Sequence, residues 1–237
     1  MDRRRDVKIG IIGAGQIGGA LAHRLVALGH HVLIANSRGA DTLHDLAAET
    51  GAIAVERSDA VREVDLIVLT ITMNQVASLP SDLFAHVPAS TPVIDTNNYY
   101  PRERDGAIEG IEQGMVESRW VESQIGHPVI KAFNNIYAKH LLELGQPKGA
   151  PGRIALPVAG DDDAAKVKVL TLIDALGFDP VDAGGLDQSW RQQPGSPVYV
   201  NDFDASGVET ALAAAQKDRT PQWHATAHSP GTFAEPA

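Results

Sequence analysis

Residues 7–12 form a short, almost unbroken apolar run, the pattern of a strand buried on both faces of a parallel sheet. After a glycine-containing turn, Ile17, Leu21, Leu25 and Leu28 recur at helical spacing, and Gly29 stands where a left-handed C-terminal cap belongs. The alternation continues with a strand over 31–35, a helix over 42–50 closed by Gly51, and strands over 52–55 and 66–71. Two more β-rich runs follow at 92–96 and 128–133, separated by a polar stretch with a short helix around Trp120. This order predicts an α/β fold, a Rossmann-type doubly wound parallel sheet.

Residues 146–152 break the pattern with two prolines and two glycines, which cannot continue a helix. Beyond them a strand (153–158), a helix (164–176) and a strand (180–182) make a small C-terminal α/β lobe that must pack against the first unit. From Asp202 onward there is one alanine-rich helix and then a tail of Pro, His and Thr without apolar periodicity, expected to be mobile. The organisation read from the chain is a Rossmann domain over 7–148, a small lobe over 149–204, and a helix with tail over 205–237.

At 237 residues and 43% hydrophobic the chain suffices for one core and a small appendage. Its 20 Lys and Arg against 30 Asp and Glu give a net charge of −10, which repels a polyanion, so no nucleic-acid partner is expected. Arg3-Arg4-Arg5 reads as a solvated end. The absence of cysteine excludes disulfides and a thiolate nucleophile on this chain and fits a reducing cytoplasm. The charged start and the short, glycine-broken apolar stretch after it lack the length of a signal-peptide core or a membrane span, so a soluble, cytoplasmic protein with no membrane partner is expected.

The turn after the first strand reads Gly13-Ala14-Gly15-Gln16-Ile17-Gly18. Gly13 permits the sharp turn, Gly15 lets backbone approach a pyrophosphate, Gly18 permits close helix–sheet packing, and the helix N-terminus faces the phosphates. The strand before and the helix after supply the context this motif needs. At the end of the second strand, Asn36-Ser37-Arg38 offers no carboxylate for a ribose 2′-hydroxyl but does offer a hydroxyl donor and a forked cation for a 2′-phosphate, so NADP(H) is the expected dinucleotide. Thr70, Ile71 and Thr72 fall at the carboxyl edge of the sheet and are expected to flank the nicotinamide ribose. Asn97-Asn98 and Asn134-Asn135 reach the same edge, where amides orient a planar heterocycle without adding charge. Tyr99-Tyr100 read as packed beneath a loop with their hydroxyls in water rather than as pocket walls. Asp161-Asp162-Asp163 read as helix-capping acids, and His224 and His228 lack a third ligand, so no metal site is expected. Gly195-Ser196 has no nucleophile-elbow pattern around it.

Taken together, Ile11-Ile12-Gly13-Ala14-Gly15-Gln16-Ile17-Gly18, Asn36-Ser37-Arg38, Asp95-Thr96-Asn97-Asn98-Tyr99-Tyr100, Lys131-Ala132-Phe133-Asn134-Asn135-Ile136 and Leu156-Pro157-Val158-Ala159-Gly160-Asp161-Asp162 resemble the NADPH-dependent oxidoreductases of the deazaflavin coenzyme F420, to about Tyr199. The cytosolic domains of membrane metalloreductases are similar too. The resemblance implies that Ala14, Gly15, Gln16, Ile17, Ser37 and Arg38 hold NADP. It also implies a deazaflavin pocket near Asn97, Ala132, Asn134 and the Trp190-Arg191 segment, and a homodimer. Thr72 departs from the family, which often carries proline there. The expected chemistry is hydride transfer to a planar small-molecule acceptor, by alignment and exclusion of water rather than by a catalytic acid, with Asn134 the candidate hydrogen-bond donor to the acceptor. A flavin, a ferric complex, a small carbonyl or imine as acceptor, and a sensor that binds NADP(H) without turnover, stay open.

Overall fold

The computed structural model describes residues 7–237; the Arg3-Arg4-Arg5 run and the charged start lie outside the described residues. Strands β1 (Lys8–Ile12), β2 (His31–Ala35), β3 (Ile53–Ala54), β4 (Leu66–Leu69), β5 (Val93–Asp95) and β6 (Ile130–Lys131) form one parallel sheet in the order β3-β2-β1-β4-β5-β6. This is the doubly wound Rossmann arrangement, in which the chain reverses direction across the sheet between β1 and β4.

The continuous apolar runs are explained by burial on two faces. Alternate residues of a strand point to opposite sides: Ile9 and Ile11 pack with Leu21 and Leu25 of helix α1 (Gln16–Ala27), whereas Ile12 joins Leu33, Leu69 and Trp120 on the far side. Helices α2 (His44–Thr50), α3 (Arg57–Ala60), α4 (Met73–Val76), α5 (Glu109–Glu112), α6 (Glu117–Ile125) and α7 (Ala138–Glu143) cover the sheet. Several strands are shorter than the runs that announce them, and at two of them the local reason is visible. Thr70 and Ile71 leave β4 to shape the sheet edge, and β6 ends at Lys131 because Phe133 turns the chain at φ +60°.

A two-stranded parallel sheet of β7 (Ala155–Val158) and β8 (Asp179–Asp182) carries helix α8 (Asp163–Ala175). Asp162 caps that helix, its carboxylate accepting the Ala165 N–H at 3.0 Å, a contact worth about 1 kcal/mol. Leu156 and Val158 share a core with Ile94 and Ile130, and Lys131 and Ala159 exchange backbone hydrogen bonds of 2.8 and 3.1 Å, which join the two sheets.

The segment whose sequence predicts a mobile tail makes specific contacts. Helix α9 (Ala205–Ala214) is capped by Asp204, and the chain beyond it docks on the Rossmann unit. Arg102 donates to the carbonyls of His224 (3.0 Å) and Pro221 (2.7 Å), and its own carbonyl accepts from Gly231 N at 2.6 Å. Arg219 pairs with the fully buried Glu117, and the rings of Trp223 and Phe233 lie 6.1 and 5.4 Å from that of Tyr100. Isolated aromatics and paired charges anchor the segment, and neither produces apolar periodicity. Among the described residues no helix is long and apolar enough to cross a membrane.

Candidate functional site

At the carboxyl edge of the sheet, where β1, β4 and β5 end, lies a cleft of about 510 Å³, within the range of about 300–1,000 Å³ common for ligand clefts. Its floor is the glycine turn. Gly13 adopts φ +115°, donates to the Ala35 carbonyl at 2.8 Å, and would place a Cβ only 2.0 Å from the Thr70 carbonyl oxygen. Gly15 caps α1 in extended backbone, and a Cβ there would meet no atom within 4 Å, so the space before the helix is open. Helix α1 has neither a side-chain cap nor an acid in its first turn, which leaves its N-terminal amides and positive dipole end available to an anion. Ala14, Gln16 and Ile17 line the same turn. Gly18 does not line the cleft; a Cβ on it would come 2.0 Å from the Gly13 carbonyl oxygen, so it acts through close packing of α1.

Asn36 builds the loop after β2. Its Oδ1 accepts the Arg38 N–H at 2.8 Å and its Nδ2 donates to Thr42 Oγ1 at 2.8 Å, an Asx turn that presents Ser37 and Arg38 to the cleft. Arg57, the first residue of α3, joins them on the wall. Arg38, Arg57 and Arg104 are the charged side chains of the lining among the described residues, and no carboxylate is among them. A chain of net charge −10 therefore keeps a wholly cationic cleft, which concentrates anionic ligands.

The other end of the cleft is lined by Thr70, Ile71, Thr72, Gln75, Asn97, Asn98 and Tyr100. Asn97 is held by a buried ion pair. Its N–H donates to Asp95 Oδ1 at 2.9 Å and its carbonyl accepts from Lys131 Nζ, while Lys131 and Asp95, both fully buried, meet at 3.2 Å and Ser118 Oγ donates to Asp95 at 2.7 Å. So fixed, Asn97 Oδ1 accepts the Ile71 N–H at 3.0 Å and its buried Nδ2 has no hydrogen-bond partner among the described residues.

Asn134 and Ala132 do not line the cleft. Ala132 lies in the core. The Asn134 amide is spent inside the protein: Nδ2 donates to Asn98 Oδ1 (3.1 Å) and the Gln192 carbonyl (2.6 Å), and Oδ1 accepts from Gln192 Nε2 (3.0 Å). It positions Asn98 and is not free to donate to an acceptor. Trp190 opens on separate depressions beside Lys217 and Arg219.

The tyrosines part company. Tyr99 is fully buried; its hydroxyl accepts from Ile108 N at 2.9 Å and lies 2.7 Å from Glu112 Oε1, and burial raises its pKa, so its hydroxyl is not in water. Tyr100 lines the cleft, hydrogen-bonded to the Tyr199 hydroxyl and overlain by the Arg104 guanidinium at 5.0 Å; burial pushes both phenols up. Elsewhere, Asp161 accepts the Leu186 N–H and pairs with Arg119, and His224 Nδ1 lies 2.9 Å from Glu112. Among the described residues no three His, Cys, Asp or Glu side chains form a metal-binding group.

Arg57, Gln75 and Arg104 escaped the sequence reading. The segments that carry them, the start of α3, helix α4 and the turn after β5, have no motif, though an arginine just past a short strand in a binding domain is a usable signal.

Comparison with known proteins places these features among relatives. The family model for NADP oxidoreductase coenzyme F420-dependent proteins matches residues 8–99. The chain is 45% identical over 71 residues to the protein YjhV of Escherichia coli K12, covering 30% of this chain and 52% of that one. It is 28% identical over 180 residues to the metalloreductase STEAP3 of Rattus norvegicus, covering 76% of this chain and 34% of that one. The chain thus spans about half the length of the first and a third of the second. Among solved structures, the hypothetical protein SMa0349 of Sinorhizobium meliloti is similar with a TM-score of 0.71 at 31% identity, covering 85% of this chain and 97% of that one. A protein from Arthrobacter sp. FB24 described as an F420-dependent NADP-reductase shares the fold, with a TM-score of 0.62 at 22% identity over 77% of this chain and 87% of that one.

Proposed function

We propose, from the match of residues 8–99 to the family model for NADP oxidoreductase coenzyme F420-dependent proteins, that this chain transfers hydride directly between NADP(H) and oxidised or reduced coenzyme F420. The observation that carries the reading is the cationic, carboxylate-free cleft that opens on the bare N-terminus of α1.

The residues fit NADP(H). The absent Cβ of Gly15 leaves the space a pyrophosphate needs, and the amides around Gly15 and Gln16 supply its donors. Ser37 and Arg38, with Arg57 beside them, match a 2′-phosphate, for which a guanidinium fork is better suited than an ammonium. Thr70, Ile71 and Thr72 border the nicotinamide ribose, with Asn97 beside them on the lining. When bound, the reduced nicotinamide supplies the hydride. The protein aligns the reacting faces, and the walls of the cleft keep water from them. The acceptor stacks at the end walled by Asn98, Tyr100 and Arg104. A homodimer is part of this reading, resting on the family resemblance.

The test is NADPH oxidation with oxidised coenzyme F420, run beside FMN, FAD and ferric citrate. Saturable turnover with the deazaflavin alone supports the reading; turnover only with another acceptor overturns the assignment of coenzyme F420, and tight NADPH binding without any turnover replaces an enzyme by a sensor.

A further inference from the structure

The hydroxyls of Tyr100 and Tyr199 hydrogen-bond to each other, and neither has another partner among the described residues. Two phenols carry two protons, and the bond between them uses one. The second is therefore unassigned, on a pair whose Tyr100 ring is a wall of the cleft. That ring is held rigidly: its backbone N–H donates to Asp105 Oδ2 at 2.8 Å, and Trp223 and Phe233 pack against it. Arg104, fixed over the ring by its bonds to Asp105 and to the Asn98 carbonyl, offsets the negative charge that a departing proton leaves on the phenol.

We propose that Tyr100 is the proton donor of the reduction and that Tyr199 resupplies it. The inference rests on the reading of the cleft as a hydride-transfer site. Hydride leaves the nicotinamide C4 with its electron pair and forms a C–H bond at the acceptor carbon, and the π electrons of that carbon move to a conjugated nitrogen. The Tyr100 O–H bond breaks as the proton passes to that nitrogen; Tyr100 is reprotonated by Tyr199, and Tyr199 by water. The acceptor class follows from this: a carbon conjugated to a basic nitrogen, as in a pyrimidine-fused ring or a cyclic imine. A phenol, with an ordinary pKa of about 10, is protonated at neutral pH, the state a donor needs.

The experiment is single-turnover mixing of NADPH-loaded protein with oxidised coenzyme F420, and in parallel with the cyclic imine 2-methyl-1-pyrroline, in H₂O and D₂O. Wild type, Tyr100→Phe and Tyr199→Phe are compared, with NADPH affinity measured by fluorescence. The expected result is NADPH binding within about two-fold of wild type in both variants and a fall of about 10²-fold or more in the transfer rate of Tyr100→Phe, the scale of general-acid contributions. The solvent isotope effect disappears in that variant, whereas Tyr199→Phe is slowed less and keeps it. A Tyr100→Phe rate and isotope effect equal to wild type refute the donor role, as does a rate loss matched by lost NADPH affinity. Turnover of the imine but not of coenzyme F420 rejects the acceptor proposed above and leaves Tyr100 to be judged by the same variant. Wild-type failure with both acceptors overturns both readings.

Discussion

Substituting Gly15 by alanine separates cofactor binding from folding. Gly15 has φ −79° and ψ −165°, backbone that any residue adopts, and its added Cβ would have no neighbour within 4 Å. The fold accepts the methyl at the cost of a poorer N-cap, about 0.5–1 kcal/mol, or about 1–4 °C in Tm for a chain of this size. In the proposed placement of the cofactor, the methyl occupies the space through which a phosphate oxygen would reach the α1 amides. Losing one charge-assisted hydrogen bond costs about 1.5–3 kcal/mol, so the NADPH Kd rises about 10- to 150-fold. Fluorescence titration with NADPH and thermal unfolding by circular dichroism read the two quantities independently. A Kd within three-fold of wild type refutes the placement of the phosphates, whereas a Tm lowered by tens of degrees refutes the claim of open space. The contrasting control is Gly10→Ala, where a Cβ would lie 1.6 Å from the Ala60 carbonyl oxygen and the strand itself must shift.

Arg38→Ala is expected to raise the Kd for NADPH about 10- to 150-fold while leaving NADH unchanged; an unaltered preference between the two nucleotides defeats the 2′-phosphate assignment. Lys131→Met strands the fully buried Asp95 carboxylate and should cost about 3–5 kcal/mol in denaturant unfolding, whereas a loss below about 1 kcal/mol would mean that Ser118 and the Asn97 N–H satisfy Asp95 unaided. The buried Arg153, which hydrogen-bonds Asp174 at 2.9 Å, holds that carboxyl below its ordinary value of 3.8. A lowered folded-state pKa gives stability that is complete above the unfolded value and is lost as pH falls through the folded one. Acid titration of Arg153→Met should therefore show a flatter loss below the ordinary carboxylate range, and a slope equal to wild type removes Asp174 from the account. Arg102→Ala breaks two hydrogen bonds to tail carbonyls and should speed proteolysis after residue 215 by about ten-fold or more; unchanged cleavage would show that the Arg219–Glu117 pair and the aromatics hold the tail without it.

The features legible in the sequence are those whose cause is local. The run over 7–12, the glycine turn and the spacing of Ile17, Leu21 and Leu25 each follow from neighbouring residues, and they delivered β1, α1 and the floor of the cleft. Arg57 and Arg104 reach the cleft only because the crossover between β1 and β4 folds distant loops together, which no window of sequence encodes. Tyr99 and Tyr100 are adjacent in extended backbone and so face opposite ways, one towards Glu112 and the other towards the cleft. Asn134 misled because position at a sheet edge does not fix which way a side chain points. The φ of +60° at Phe133 carries the chain over, and the amide meets Gln192 instead. The contacts of the tail are not legible in the sequence because periodicity is blind to anchoring by single charges and rings.

Pro101–Asp105 is one turn of π-helix, and it has hold of two things at once. Arg104 grips the Asn98 carbonyl on the rim of the cleft, while Arg102, two residues earlier, grips the carbonyls of the tail. A displacement of this turn is felt at both ends. Thermodynamic reciprocity then governs the pair: by whatever factor a filled cleft favours the docked tail, the docked tail favours the filled cleft by the same factor. Such a coupling would read out as a difference in NADPH affinity between wild type and Arg102→Ala, a residue that does not line the cleft.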